Sequence, residues 1–193
     1  REVLTVGVVG TFAVRWLMPR LPAFHEAHPL IDLRLLTHNN KVDLAGEGLD
    51  LAIRFGDGAW HGVEAREITR APLSALCVPA IAAKLSGPED IASFTMLRSY
   101  RQDEWPRWFA AAGLPAPPLS GTVFDSVTLM VQAALLGAGI AIAPPAMFER
   151  ELEAGQLAQP FDIAVDTGGY WLTWLKARAP SDAMAAFSAW VMS

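Results

Sequence analysis

Val3-Leu4-Thr5-Val6-Gly7-Val8-Val9-Gly10-Thr11, running into an apolar helix and then Ile31-Asp32-Leu33-Arg34-Leu35-Leu36, is the stretch whose reading decides the fold. The β-rich run that ends at Gly10 fits a parallel strand covered on both faces. After the hydroxyl residue Thr11, residues Phe12, Trp16, Leu17, Leu21 and Phe24 recur at three- and four-residue intervals, one apolar helical stripe. Pro19 and Pro22 predict that this helix kinks or divides, and His28-Pro29 ends it. The same order (strand, hydroxyl, helix, strand) returns at Thr122–Asp125, Ser126, a helix through Leu136, and Ile140–Ala143. In each βαβ unit the hydroxyl is expected at a helix N-terminus. There, free backbone N–H groups and the positive dipole end can hold an anionic or carbonyl-rich ligand. Two such units predict two α/β lobes facing each other across a cleft, which favours a small-molecule receptor over an enzyme.

The 193 residues are 52% hydrophobic, enough for a sizeable core on the border between one domain and two. A net charge of −5 argues against these residues docking on DNA or an anionic membrane. Cys77, the one cysteine, lies between Leu76 and Val78 and reads as a buried, inert thiol in a reducing compartment. The chain opens on Arg1-Glu2 and enters a strand at once, without the pattern of a signal peptide. That opening suggests an excised domain with sequence missing upstream. No uncharged run approaches the ~20 residues of a membrane span. The longest apolar stretch, Gly137–Phe148, is cut by Pro144 and Pro145.

Further along, Lys41–Ala45 reads as a short helix closed by Gly46 and Gly48, and Leu49–Phe55 as a strand broken by Gly56-Asp57-Gly58. Glu64–Val78 reads as extended, Pro88-Glu89-Asp90 as a helix start, Met96–Tyr100 as a strand and Asp103–Ala112 as a helix. Leu114–Leu119 is a proline-rich loop, Pro144–Glu153 a helix ended by Gly155, and Leu157–Phe161 extended. Tyr170–Ala177 is a strand, and Ser181 caps a terminal helix over Asp182–Val191.

Leu17–Pro29 with Ile31–Leu33, Val42–Arg54, Leu136–Pro144 and Glu151–Leu157 together resemble the effector domains of LysR-type transcriptional regulators across nearly the whole chain. Val9–Ala13, Thr37–Asn40, Gly58–Gly62, Leu97–Arg101 with Asp103–Trp105, Val123–Ser126 and Tyr170–Thr173 resemble more narrowly the AmpR-type members that control β-lactamase expression. The resemblance implies a type 2 periplasmic-binding-protein-like α/β fold of two Rossmann-like lobes joined by two hinge crossings. Residues 1–71 plus 166–193 would form lobe I and 72–165 lobe II, the chain crossing near Arg70–Leu73 and Phe161–Asp166. It implies a cytoplasmic regulator whose DNA contact is made by an N-terminal winged helix-turn-helix outside this chain. No cofactor, metal or membrane is implied. The cleft would sense anhydro-muramyl peptides as inducers and a UDP-linked muramyl pentapeptide as corepressor. A homodimer is implied, extending to a tetramer in the full-length regulator, with Val14, Met18 and Leu129 or Gln132 at the contact.

The expected effector-binding residues are Thr11, Ser126 and Tyr170, with Gly10, Phe12, His38, Asn39, Phe55, Ser99, Tyr100 and Val127 around them. Gly10 and Asp43 resemble positions where change alters signalling, Gly10 because a side chain is expected to crowd the turn that delivers Thr11. Thr11 and Ser126 also fit plain N-caps, worth about a kcal/mol each. His38, Asn39 and Asn40 fit either a polar turn or donors on the cleft rim. Arg98, Ser99 and Tyr100 fit either ligand or hinge contact or a solvated strand end. Trp60-His61, in a glycine-rich loop, suggests an exposed lid or subunit contact, while Trp105 and Trp108 read as packing. Asp103-Glu104 fits helix-dipole complementation.

His25-Glu26-Ala27-His28 lacks the spacing of a zinc helix. No nucleophile elbow surrounds any serine, so a hydrolase or transferase built on Ser126 or Asp125 has no partner groups. The alternative to the regulator is a solute-binding protein of a transport system.

Overall fold

The computed structural model describes residues 1–193. Strand β1 (Glu2–Val9) pairs parallel with β2 (Ile31–His38) and with β3 (Leu51–Gly56). The free edge of β3 pairs antiparallel with β9 (Gly169–Leu175), and β9 with β4 (Val63–Arg70), giving the order β2-β1-β3-β9-β4. Alternation sends Leu4, Val6 and Val8 to one face, where they are fully buried with Phe12, Leu17, Phe24, Leu51, Ile53 and Phe187. Each such side chain taken out of water contributes about 1.5–3 kcal/mol. Helix α7 (Asp182–Val191) closes that face, with Phe24 4.8 Å from Trp190 and 5.6 Å from Phe187 by ring centroids. Ser181 caps it as expected, its Oγ accepting from Met184 N at 3.2 Å.

The helix between β1 and β2 divides. Helix α1 (Gly10–Phe12) leads through a π-helical turn, Ala13–Leu17, and a 3-10 turn, Met18–Arg20, into α2 (Leu21–Ala27). Pro19 and Pro22 each fall within the first two positions of their own segment, where a missing N–H matters least.

Lys41–Ala45 is not the expected helix: 44–48 is a run of overlapping turns, with Glu47 N donating to Asp43 O, Gly48 N to Ala45 O and Leu49 N to Leu44 O. Asp43 Oδ1 accepts from Gly46 N at 3.1 Å, and Glu47 Oε2 accepts from Asp43 N at 2.8 Å. These side-chain bonds offer the backbone a local alternative that two glycines make easier than helix. The turn seats Leu44 and Leu49 on Ala52, with Val42, Val63 and Leu175 around them.

Two compact units divide the chain, Arg1–Arg70 with Gly168–Ser193, and Ala71–Thr167. The backbone returns to the first at Gly168, whose φ of 144° and would-be Cβ 2.6 Å from the Gly56 carbonyl oxygen leave no other residue comfortable there. In the second unit β5 (Ser74–Leu76) is antiparallel to β8 (Ala141–Ala143), and β6 (Arg98–Ser99) is parallel to β7 (Val123–Phe124). A parallel bridge from Met96 to Ile140 joins the two pairs. Helix α5 (Val127–Leu135) therefore crosses from β7 to β8 over the 96–99 segment.

The other helices of this unit are α3 (Pro79–Ala82), α4 (Glu104–Ala111) and α6 (Glu149–Glu153). The single helix expected over Pro144–Glu153 is instead a 3-10 turn, Pro145–Met147, followed by α6, with Phe148 non-helical between them. Trp105, Trp108 and Phe109 are buried as the core of this unit. Their indole N–H groups are satisfied, Trp105 Nε1 donating to Leu97 O at 2.8 Å and Trp108 Nε1 to Ile163 O at 3.0 Å. Cys77 is buried, and burial pushes its thiol up to about 11. No helix is long and apolar enough to cross a membrane.

Candidate functional site

In the first unit, the ends of β1, β2 and β3 carry most of the expected residues to one edge of the sheet. This is where open α/β sheets take their ligands. Gly10, Thr11 and Phe12 follow β1, His38 ends β2, and Phe55 lies in β3 directly opposite Tyr170 of β9. The Tyr170 ring is clamped, 5.1 Å from Phe12 and 5.3 Å from Phe55 by centroids, and Phe12 stacks on Trp16 at 5.0 Å. Only 2% of Tyr170 is exposed. It is thus a buried, oriented phenol and not a side chain projecting from a rim, because β9 sits between two other strands.

Thr11 is also buried, at 3% exposure, and it is not the helix cap. The cap position falls on Val9, which has no side-chain acceptor, so Thr11 sits inside the first turn of α1. The crowding expected at Gly10 is absent: a Cβ there would meet nothing within 4 Å. Asp43 acts on its own turn, holding Gly46 as described.

His38 does not join Tyr170. Pairing of Val8 with Ile53, and of Phe55 with Tyr170, puts Phe55 and Tyr170 on the face of Val6 and Val8. His38 pairs with Val9, and its ring lies against Gly7 and Val42 on the other face. Its Nδ1 accepts from Asn40 N at 2.9 Å. Burial, helped by the charge of Arg54, holds the imidazole below its ordinary pKa and therefore neutral at pH 7. Asn40, in the left-handed region at φ 73°, pairs its amide with both Phe55 N and Phe55 O, at 2.8 and 2.6 Å. That side chain lengthens the partnership of β3 by one rung. Asn40 ties this loop to the Phe55–Tyr170 pair.

In the second unit Ser99 and Phe124 are partners at the ends of β6 and β7, and Ser126 follows immediately. Ser126 is the N-cap of α5, its Oγ accepting from Leu129 N at 3.4 Å, a long bond that leaves the hydroxyl proton free to serve elsewhere. Val127 is the first residue of α5, half-buried, and Tyr100 is 42% exposed. Ser99 is already occupied. Its hydroxyl donates to Glu104 Oε1 at 2.5 Å and accepts from Arg101 N at 3.1 Å. Glu104 is 5% exposed, and burial raises its pKa against the lowering effect of the Ser99 bond. Both residues therefore brace the N-terminus of α4, a role that dipole complementation alone does not describe.

Trp60 is half-buried rather than exposed, with the Arg54 guanidinium 4.6 Å from its ring centroid. Sequence reasoning passed over Arg54. The available signal was a single cation inside the apolar run Leu51-Ala52-Ile53-Arg54-Phe55. No group of three His, Cys, Asp or Glu side chains stands where it could hold a metal ion.

The LysR substrate binding domain family matches residues 1–193. The chain is 56% identical over 194 residues to the HTH-type transcriptional activator AmpR of Pseudomonas aeruginosa, covering 100% of this chain and 66% of that protein. It is 49% identical over 196 residues to a carbapenem-hydrolyzing beta-lactamase transcriptional activator of Serratia marcescens, covering 100% and 67%. The solved effector binding domain of Citrobacter freundii carrying threonine-to-valine, serine-to-alanine and tyrosine-to-phenylalanine substitutions matches with a TM-score of 0.95 and 44% identity. That match covers 100% of this chain and 98% of the other. The chain thus spans about two thirds of the length of these full-length relatives.

Proposed function

The chain belongs to the LysR substrate-binding domain family, and we propose that it is the effector-sensing part of a transcriptional activator of β-lactamase expression that responds to cell-wall muropeptides. Such a domain is a regulatory ligand-binder and not an enzyme. The relatives being transcriptional activators also weighs against a transport solute-binding protein.

One observation carries the site. The solved relative was altered at a threonine, a serine and a tyrosine, each change removing a hydroxyl and little else. This chain offers the same three residue types in the same order, Thr11, Ser126 and Tyr170, at the strand ends described above. A muropeptide presents carboxylates, amides and sugar hydroxyls that such groups can bond. A ligand bonding all three hydroxyls would favour one conformational state of the domain over another. Its leverage is its differential affinity for the two states, typically 1–3 kcal/mol.

The inducer is an anhydro-muramyl peptide and the corepressor a UDP-linked muramyl pentapeptide. DNA is met in the cytoplasm through a winged helix-turn-helix outside this chain. Readout runs through a homodimer, tetrameric in the full-length regulator. Val14, Met18 and Leu129, at 41%, 57% and 55% exposure, are apolar side chains available for that contact, beside the exposed Gln132. Calorimetric titration of the protein with each muropeptide tests the ligand class. Saturable heat at one site per chain is expected; silence with both would remove the muropeptide reading.

A further inference from the structure

Arg54 carries a positive charge into a half-buried position with no carboxylate to meet it. Its Nε is enclosed and makes no hydrogen bond, and no ion pair involves the side chain. Neither Glu47 nor Asp57 forms an ion pair with it; one oxygen of each accepts a backbone N–H, from Asp43 at 2.8 Å and from Ala59 at 3.0 Å. His38 shares this sheet face, with Nε2 enclosed and without a hydrogen bond; the Ile53 and Gly7 carbonyls are its polar neighbours.

The guanidinium is nevertheless held in one place. It lies over Trp60, and Trp60 is itself seated, since a Cβ at Gly56 would come within 2.7 Å of its ring. Trp171, paired with Arg54 across β3 and β9, donates from Nε1 to Gly56 O at 2.9 Å and fixes the base of that loop.

We propose that Arg54, backed by Trp60, is the receptor for a small monocarboxylate at the sheet edge, on the face opposite Tyr170. A partly desolvated cation without a counter-ion is destabilising, and a ligand that brings the counter-ion relieves it. The planar fork of a guanidinium matches a carboxylate with two parallel N–H···O bonds. Arg54 is the one cation acting on this imidazole and the Glu47 carboxylate acts on it too, so a phosphate dianion is disfavoured against a monocarboxylate. The indole supplies an apolar wall for the carbon chain of the acid. Arg54 and His38 stand towards the C-terminal ends of the parallel strands β3 and β2, the ligand edge of this sheet type. The site is separate from the one assigned to muropeptide and does not depend on it.

The test follows the Arg54 Nε–H and Trp60 indole N–H resonances of nitrogen-15-labelled protein, assigned with Arg54→Lys and Trp60→Phe. Acetate, N-acetylalanine and N-acetylalaninamide are added in turn. Both resonances are expected to shift saturably with the carboxylates and not with the neutral amide, and the Trp60 response is expected to vanish in Arg54→Met. Saturation by acetate at an equal or lower concentration marks a bare carboxylate as the ligand. Saturation by N-acetylalanine at about tenfold lower concentration, the yield of about 1.4 kcal/mol of added contact, marks a peptide C-terminus. A wild-type protein with no saturable shift, an equal response to the amide, or a Trp60 shift that survives in Arg54→Met overturns the proposal.

Discussion

A methyl group added at Gly10 has open space around it, so Gly10→Ala is expected to fold normally. Because alanine restricts the unfolded chain more than glycine does, the variant should equal the wild type or exceed it by about 0.4–1 kcal/mol in thermal or urea unfolding. A loss of more than about 2 kcal/mol would mean that the turn into α1 is tighter than the structure has it. The cap at Ser126 was legible from the hydroxyl that precedes the apolar helix Val127–Leu135, while the cap expected at Thr11 falls on Val9. Burial was not legible. Nothing local to Tyr170 says that Phe12 and Phe55 will close on it, since those rings arrive from 158 and 115 residues away, the separations 170 − 12 and 170 − 55. Arg54 was passed over for a related reason: a cation in a strand is usually paired, and the want of a partner is a property of the fold.

Among the elements, α4 begins on a carboxyl group that burial keeps from ionising easily. With the folded pKa raised above the unfolded one, the stabilisation is complete below the ordinary glutamate range and fades as pH rises through the folded value. Glu104→Gln retains an acceptor for the Ser99 hydroxyl and removes the charge. The variant is therefore expected to gain on the wild type in urea unfolding as pH rises above the ordinary glutamate range, and parallel pH profiles would refute this. Elements with a clear period were legible, including β1, β2, β9 and α7. The proline-divided helix after β1 was legible as well, because Pro19 and Pro22 lack the N–H that a continuous helix needs. The 41–48 turn was not, because Asp43 and Glu47 hold it by side-chain bonds to Gly46 N and Asp43 N that no periodicity announces. In the second unit β6 and β7 are two residues each, too short to show any period.

For the whole molecule, the repeated βαβ order announced an α/β fold of the kind observed. The crossings at 70–71 and 167–168 have no such signature, and only the family resemblance pointed near them. Assembly is the property that sequence periodicity reports least, since an apolar side chain at an interface looks like core. Met18→Glu and Leu129→Glu place a charge on exposed apolar positions and are expected to shift sedimenting dimer to monomer without lowering the melting temperature. Unchanged sedimentation in both would move the contact to another face. The central claim of the proposed function is that the Thr11, Ser126 and Tyr170 hydroxyls bind the effector. Calorimetric titration of wild type, Thr11→Val, Ser126→Ala and the double variant with an anhydro-muramyl tripeptide tests it most directly. Each single change is predicted to weaken binding about tenfold, near 1.4 kcal/mol, and the double change more than either. Wild-type affinity in all three variants would contradict it.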